Sequence, residues 1–402
     1  MQRPSTTGLL PALGVAPAEA RRCQPISPAT RVPPRRTHPR AAAGNPGGGS
    51  RCWGLWVIVM MLLARPGLSA EIERGVSIAA FGPRTFQSSA ADRSLADVRA
   101  LGASAVAINV SWWQDDETST EIRSDEAKSA SLESVGHAID EAHRLGMRVM
   151  LKPMVDVKSR IWRGTIRPRD AEPWFGSYGA FIGTFADLAK RKKVEIFCLG
   201  TEMNTLEGPE HEAQWRNLIR DVRRRYPGKL TYAANWHEGA GTRGGFRAVR
   251  FWDALDLVGI NPYFALADSP DPTAEQLAAG CRGWMDTLEA WRSEAGIDKP
   301  ILYTEIGYPS FDGGAMKPWG SEESGLDPDP AEQAAAYEAF LSTVGEREWC
   351  AGCFLWRWEP YPHAGLRYPT GHTPQDKPAE KVIARHWGGK APAPAPVRES
   401  LE

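Results

Sequence analysis

Between Glu71 and Trp387 the chain alternates short apolar runs with longer amphipathic ones, and this rhythm constrains the fold more than any other feature. Eight runs read as strands: residues 75–81, 105–113, 148–157, 196–204, 230–236, 257–264, 301–309 and 353–359. Between them, residues 91–101, 132–145, 178–192, 212–226, 274–294 and 331–344 have the spacing of amphipathic helices, with Gly or Pro stops such as Leu145-Gly146 and Tyr226-Pro227-Gly228. Strand–helix alternation predicts a parallel sheet. Eight such units in one stretch predict an α/β fold closed as a (β/α)8 TIM barrel, a single domain. An open doubly wound sheet usually carries a Gly-rich phosphate loop after its first strand, and Phe81-Gly82-Pro83-Arg84 is not one.

The termini read differently. Residues 1–50 are rich in Arg, Pro, Ala and Gly without periodicity, which predicts a disordered leader. Residues 51–70 hold an Arg, a short apolar run and small residues up to Ala70. That pattern reads as a secretory signal, or as a membrane anchor that is never cut, and predicts a secreted or periplasmic protein. The domain is expected over 71–388, with 389–402 a flexible Pro/Ala tail. Residues 1–70 carry nine Arg and one Glu; the rest carries 39 basic and 48 acidic side chains, a balance that disfavours nucleic acid as a partner. Cys350 and Cys353 form a C-x-x-C without the further ligands a zinc site needs, so they read as a local disulfide or as two buried thiols.

Active sites of such barrels lie at the C-terminal ends of the strands. The fourth run, IFCLGTEMN, sets Glu202 there, and the seventh, ILYTEIGYP, sets Glu305. Alternation of faces predicts that Cys198 and Gly200 share the lumen with Glu202, and Ile301 and Tyr303 with Glu305. One such Glu is more simply an ion-pairing residue. Two at matching ends of nearly opposite strands fit glycoside hydrolysis, in which one carboxyl protonates the leaving oxygen and the other attacks the anomeric carbon or activates water.

The strings LGTEMN and YTEIGYPS, with INPYF on the sixth strand and FLWRWEP on the eighth, resemble glycoside hydrolase family 113, within the clan of retaining (β/α)8 glycosidases, over about residues 72–387. The resemblance implies β-mannanase-like activity, Glu202 as acid/base, Glu305 as nucleophile, and Tyr263 as a hydrogen-bond donor that holds the nucleophile ionised. Many members of the clan carry Asn just before the acid/base, where it reaches the sugar 2-hydroxyl. Here that residue is Thr201.

Other strand-end residues fit a sugar site. Trp356 and Trp358 share one face of the eighth strand, and one of them is a candidate stacking platform. Asn109, Ser111 and Trp113 share the face opposite Val106, Ile108 and Val110. Lys152 lies on the face of Asp156, as its ion-pair partner or as a group that binds hydroxyls or tunes a carboxylate. Asn204 follows Glu202, and Asn235 and His237 end the fifth strand. Eight of the sixteen Trp (112, 113, 162, 174, 236, 319, 356 and 358) fall at strand ends or in the following loops, which favours a sugar cleft over a purely packing role. The expected partner is a polysaccharide or oligosaccharide, with no organic cofactor or metal implied. On resemblance the substrate is β-1,4-mannan. The alternatives are another β-glycan (glucan, xylan or galactan) or a non-catalytic glycan-binding barrel of the cell envelope.

Overall fold

The computed structural model describes residues 72–237, 244–320 and 326–392. The expected leader and signal or anchor segment, and residues 393–402 of the expected tail, lie outside the described residues. Eight strands form the barrel: β1 (Glu73–Ala79), β2 (Ala105–Gln114), β3 (Arg148–Val157), β4 (Ile196–Thr201), β5 (Lys229–Asn235), β6 (Val258–Asn261), β7 (Ile301–Ile306) and β8 (Cys350–Trp358). They run parallel in chain order and close β8 onto β1.

Around them lie α1 (Ser89–Ala100), α2 (Leu132–Arg144), α3 (Ala171–Lys192), α4 (Glu212–Arg225), α5 (Ala274–Ala295), α6 (Pro330–Thr343), the short α7 (Ala364–Arg367) and α8 (Pro378–Trp387). Local chemistry sets their ends. Ser88, Ser131 and Thr273 accept backbone N–H groups at the starts of α1, α2 and α5, where those donors have no partner within the helix. α3 starts seven residues before the sequence expectation. Asp170 caps it by accepting from Glu172 N–H, and Pro173 sits in the first turn, where its missing N–H leaves no helix bond unmade. Between β5 and β6 the described residues hold only a 3-10 turn, Trp252–Ala254, so the alternation is not strict.

Two apolar layers result. The larger lies between strands and helices and includes Val106, Ile108, Val110, Phe181 and Trp215. The smaller fills the lumen with Ala105, Ala107, Met150, Ile196, Cys198, Ala233, Leu257, Leu302 and Phe354. Cys198 is therefore in the lumen as expected, but Gly200, Ile301 and Tyr303 are not. The pairing of β4 with β5 shifts register between Cys198 and Thr201, and that of β7 with β8 between Tyr303 and Ile306. A register irregularity rotates the side chains that follow it. Ile301 and Tyr303 precede the irregularity in β7, so the side that Glu305 takes does not carry back to them: Leu302 points into the lumen, while Ile301 and Tyr303 face the helices. Gly200 faces Tyr178, Trp215 and Tyr232 so closely that a Cβ there would lie 2.7 Å from the Tyr178 hydroxyl.

The fold runs past residue 388. Gly388 (φ +72°) turns the chain after α8, and the Lys390 N–H donates to the Ala100 carbonyl at 2.8 Å. Cys350 and Cys353 are buried free thiols, not a disulfide. Among the described residues no helix is long and apolar enough to cross a membrane.

Candidate active site

Glu202 follows directly on β4 with φ +51°, a left-handed conformation that costs a residue with a side chain on the order of 1 kcal/mol. Neighbouring hydrogen bonds hold it. Its N–H donates to the Ala233 carbonyl at 2.8 Å, and the next amide, Met203 N–H, donates to the Tyr232 hydroxyl at 3.0 Å. The Tyr232 O–H in turn donates to Glu207, whose other oxygen accepts the Gly245 N–H. Burial pushes the Glu207 carboxyl up to about 7, although both of those donors oppose the shift. The Glu202 carboxyl itself accepts from Asn261 Nδ2 at 3.1 Å on one oxygen and from Trp162 Nε1 at 3.0 Å on the other.

Glu305 also accepts two donors, of different chemistry. Lys152 Nζ lies 2.5 Å from Oε1, and the Tyr263 O–H donates to Oε2 at 3.1 Å. Lys152 is fully buried on β3. An ammonium out of water requires a counter-charge, and Glu305 supplies it from across the barrel. Burial first, and then the charges of Glu305 and Glu202, raise the Tyr263 phenol well above its usual range, so it remains a donor. Asn261 ties the two carboxyls together: its amide oxygen accepts from Thr304, the residue before Glu305, at 2.8 Å, while its nitrogen donates to Glu202.

Both carboxyls open into a cleft of about 720 Å³. Trp162, Trp236, Trp319 and Trp356 line it, and the rings of Trp236 and Trp319 lie 5.3 Å apart and tilted by 30°. The Trp356–Arg357 peptide bond is cis. Two cations in the wall are already paired. Arg163 meets Asp156 at 2.5 Å, and Asp156 also accepts the Ser111 hydroxyl at 2.6 Å. Arg357 meets the buried Glu359 at 2.6 Å. Burial works against the Asp156 anion, yet Arg163 and Ser111 hold its carboxyl below the usual range.

Of the residues expected from sequence, Glu202, Glu305, Asn235, His237, Tyr263 and Trp356 line this cleft, and Lys152 stands behind Glu305. Lys152 does not pair with Asp156, which Arg163 occupies. Trp358 is a correction: it is buried in the outer core and does not line the cleft. Asn109 is buried and donates to the Ile78 and Ala107 carbonyls, bracing β1 against β2. Trp113 lies outside the cleft under Lys128, and Asn204 is buried and reaches the His237 carbonyl. Four of the eight rim Trp line the cleft; Trp112 and Trp174 pack on α3 aromatics instead. Sequence reasoning missed Asn261, although it stands in INPYF, and it missed His372, which no motif marks. It counted Trp162 at the rim without its bond to Glu202. Among the described residues no group of three or more His, Cys, Asp or Glu is arranged to hold a metal ion.

Comparison with known proteins identifies relatives of the same fold. The profile of Glycoside Hydrolase Family 113 matches residues 79–376. A β-mannanase of that family from Alicyclobacillus acidocaldarius superposes with a TM-score of 0.69 at 29% identity, over 79% of this chain and 97% of that one. A family 113 β-1,4-mannanase superposes with a TM-score of 0.69 at 26% identity, over 80% of this chain and 100% of that one. A β-glucuronidase from Ruminococcus gnavus, at 12% identity and a TM-score of 0.55 over 79% of this chain and 50% of that one, shares the fold alone. No curated protein matches the chain.

Proposed function

Because the chain belongs to glycoside hydrolase family 113, and is thereby a glycoside hydrolase, we propose that it cleaves β-1,4-mannan or manno-oligosaccharides with retention, through a glycosyl-enzyme at Glu305. The observation that carries this reading is the pair of buried carboxyls in one aromatic-lined cleft, an ammonium at one and only neutral donors at the other. The likeness to two β-mannanases supports the substrate.

In the first step a Glu305 oxygen attacks the anomeric carbon while Glu202 delivers its proton to the departing glycosidic oxygen. In the second, Glu202 takes a proton from water, whose oxygen attacks the same carbon and frees Glu305. The charge of Lys152 and the hydroxyl of Tyr263 hold Glu305 as the anion that attack requires. Asn261 and Trp162 hold Glu202 in place through neutral donors. Trp356 is the platform for the reacting sugar.

Incubation with mannan, glucan, xylan and galactan, with product sizing and NMR of the first-formed anomer, tests the reading. Mannan cleavage giving the β-anomer first is expected; an α-anomer eliminates the glycosyl-enzyme. Glu202→Ala should cripple mannan cleavage yet spare the first step on aryl mannosides with good leaving groups, and equal losses on both would remove Glu202 from the acid role. The signal-like pattern of residues 51–70 supports, within the same proposal, export of this activity. N-terminal sequencing of exported protein should begin at Glu71, and a retained Met1 would mean an uncut anchor or no export.

A further inference from the structure

His372 stands in the loop after β8, outside the four motif strings, and lines the cleft. Its ring centroid is 6.1 Å from that of Tyr263, whose hydroxyl donates to Glu305. Its Nε2 lies 2.9 Å from the Pro318 carbonyl oxygen. A carbonyl can only accept, so the proton of the neutral ring is on Nε2 and Nδ1 is a bare lone pair. Burial, reinforced by Arg357 and Lys377, pushes the imidazole down to about 4 although Pro318 and Glu305 oppose it. The ring is therefore neutral at ordinary pH. Its Cδ2 edge is turned to the barrel wall, where a Cβ on Gly307 would meet it at 3.3 Å. The Nδ1 edge faces the opposite way, and Nδ1 has no hydrogen-bond partner among the described residues.

The surroundings give that lone pair its meaning. The cleft wall is rich in donors, and several of its acceptors already take a donor from the protein. Glu305 takes Lys152 and Tyr263, Glu202 takes Asn261 and Trp162, and the Asn235 amide oxygen takes the His237 N–H. A sugar hydroxyl is donor and acceptor at once, so a site that fixes it needs a free acceptor as well as donors.

We propose that His372 is a substrate-binding residue, its Nδ1 accepting a hydroxyl proton of the sugar seated between Trp356 and Glu305, so that the cleft selects sugars bearing that hydroxyl. The inference rests on the glycosidase reading of the cleft given above.

Two substitutions separate contact from scaffolding. His372→Gln keeps an N–H within reach of Pro318 but removes the acceptor at the δ position. His372→Asn keeps a δ acceptor and gives up the Pro318 bond. The substrates are 4-nitrophenyl β-mannobioside and its analogues lacking the 2-, 3- or 6-hydroxyl on the sugar next to the nitrophenyl group. The wild type should lose about 10-fold or more in kcat/KM on one analogue. His372→Gln should lose as much on the parent compound and less than about 2-fold further on that analogue, whereas His372→Asn should still discriminate. Discrimination retained by His372→Gln, or lost equally in both variants, overturns the proposal and leaves His372 a brace for Pro318. If the wild type does not turn over the parent, the reading of the cleft as a mannosidase falls. Calorimetric binding of the same compounds then decides His372 separately: the same pattern in Kd upholds the contact, and no binding overturns both.

Discussion

A buried lysine shows how much one side chain decides here. Lys152 could belong to Asp156 by strand alternation, yet it crosses the lumen to Glu305, because Arg163 already satisfies Asp156. Replacing Lys152 with Met should leave the Glu305 charge buried beside a single neutral donor. Losing one partner of a buried pair costs on the order of 3 kcal/mol. kcat/KM for mannan should thus fall by about 100-fold or more. Steady-state kinetics checks this, and a kcat/KM within about 2-fold of the wild type would show that the ammonium does not support the attack. Tyr263→Phe removes only a neutral bond and should lose about 10-fold, measured the same way.

At the scale of elements, the turn at Glu202 depends on a chain of bonds: Met203 N–H to Tyr232, Tyr232 to Glu207, and Gly245 N–H to the same carboxyl. Glu207 titrates in the folded protein at about 7 against an ordinary 4.5. Between those values the native state keeps a proton that the unfolded chain has released. The associated stability is therefore complete below about pH 4.5 and lost as pH rises through about 7, up to roughly 3 kcal/mol. Thermal melts from pH 4 to 8 should show this decline in the wild type and a flatter curve in Glu207→Gln; parallel curves would contradict it. The same region marks the limit of what the sequence made legible. The bodies of the strands were readable as apolar runs. Their ends were not: β4 and β6 stop three residues before their apolar or motif strings do, and register irregularities, set by contacts far apart in the chain, decide which way Glu202 and Glu305 turn. Strand alternation misplaced Gly200, Ile301 and Tyr303 for that reason, and it put Trp358 in the cleft. The two glutamates were legible nonetheless, since a charged residue closing an apolar strand run is visible before the fold is known. Lys152 was legible as a buried cation but not its partner, which is 153 residues away.

For the whole molecule, the division of labour is between barrel and loops. Trp319 is half exposed in the loop after β7 and lies tilted against Trp236. Trp319→Ala should raise KM for mannohexaose by about 10-fold, the worth of one stacked sugar, and leave turnover of a small aryl mannoside within about 2-fold. Steady-state kinetics on both substrates decides it, and equal losses would place Trp319 in the chemistry. The bond pattern around Asn261 has a further consequence. Because Thr304, Asn261 and Glu202 join strand seven to strand four through strand six, the two carboxyls are linked through the staves as well as through the loop bonds of Trp162 and Glu207. Insertions, deletions and exchanges in the connecting segments that make no bond to this frame can therefore accumulate over generations without disturbing bond cleavage. A lineage built on this frame can change its diet by altering the rim while inheriting the reaction unaltered.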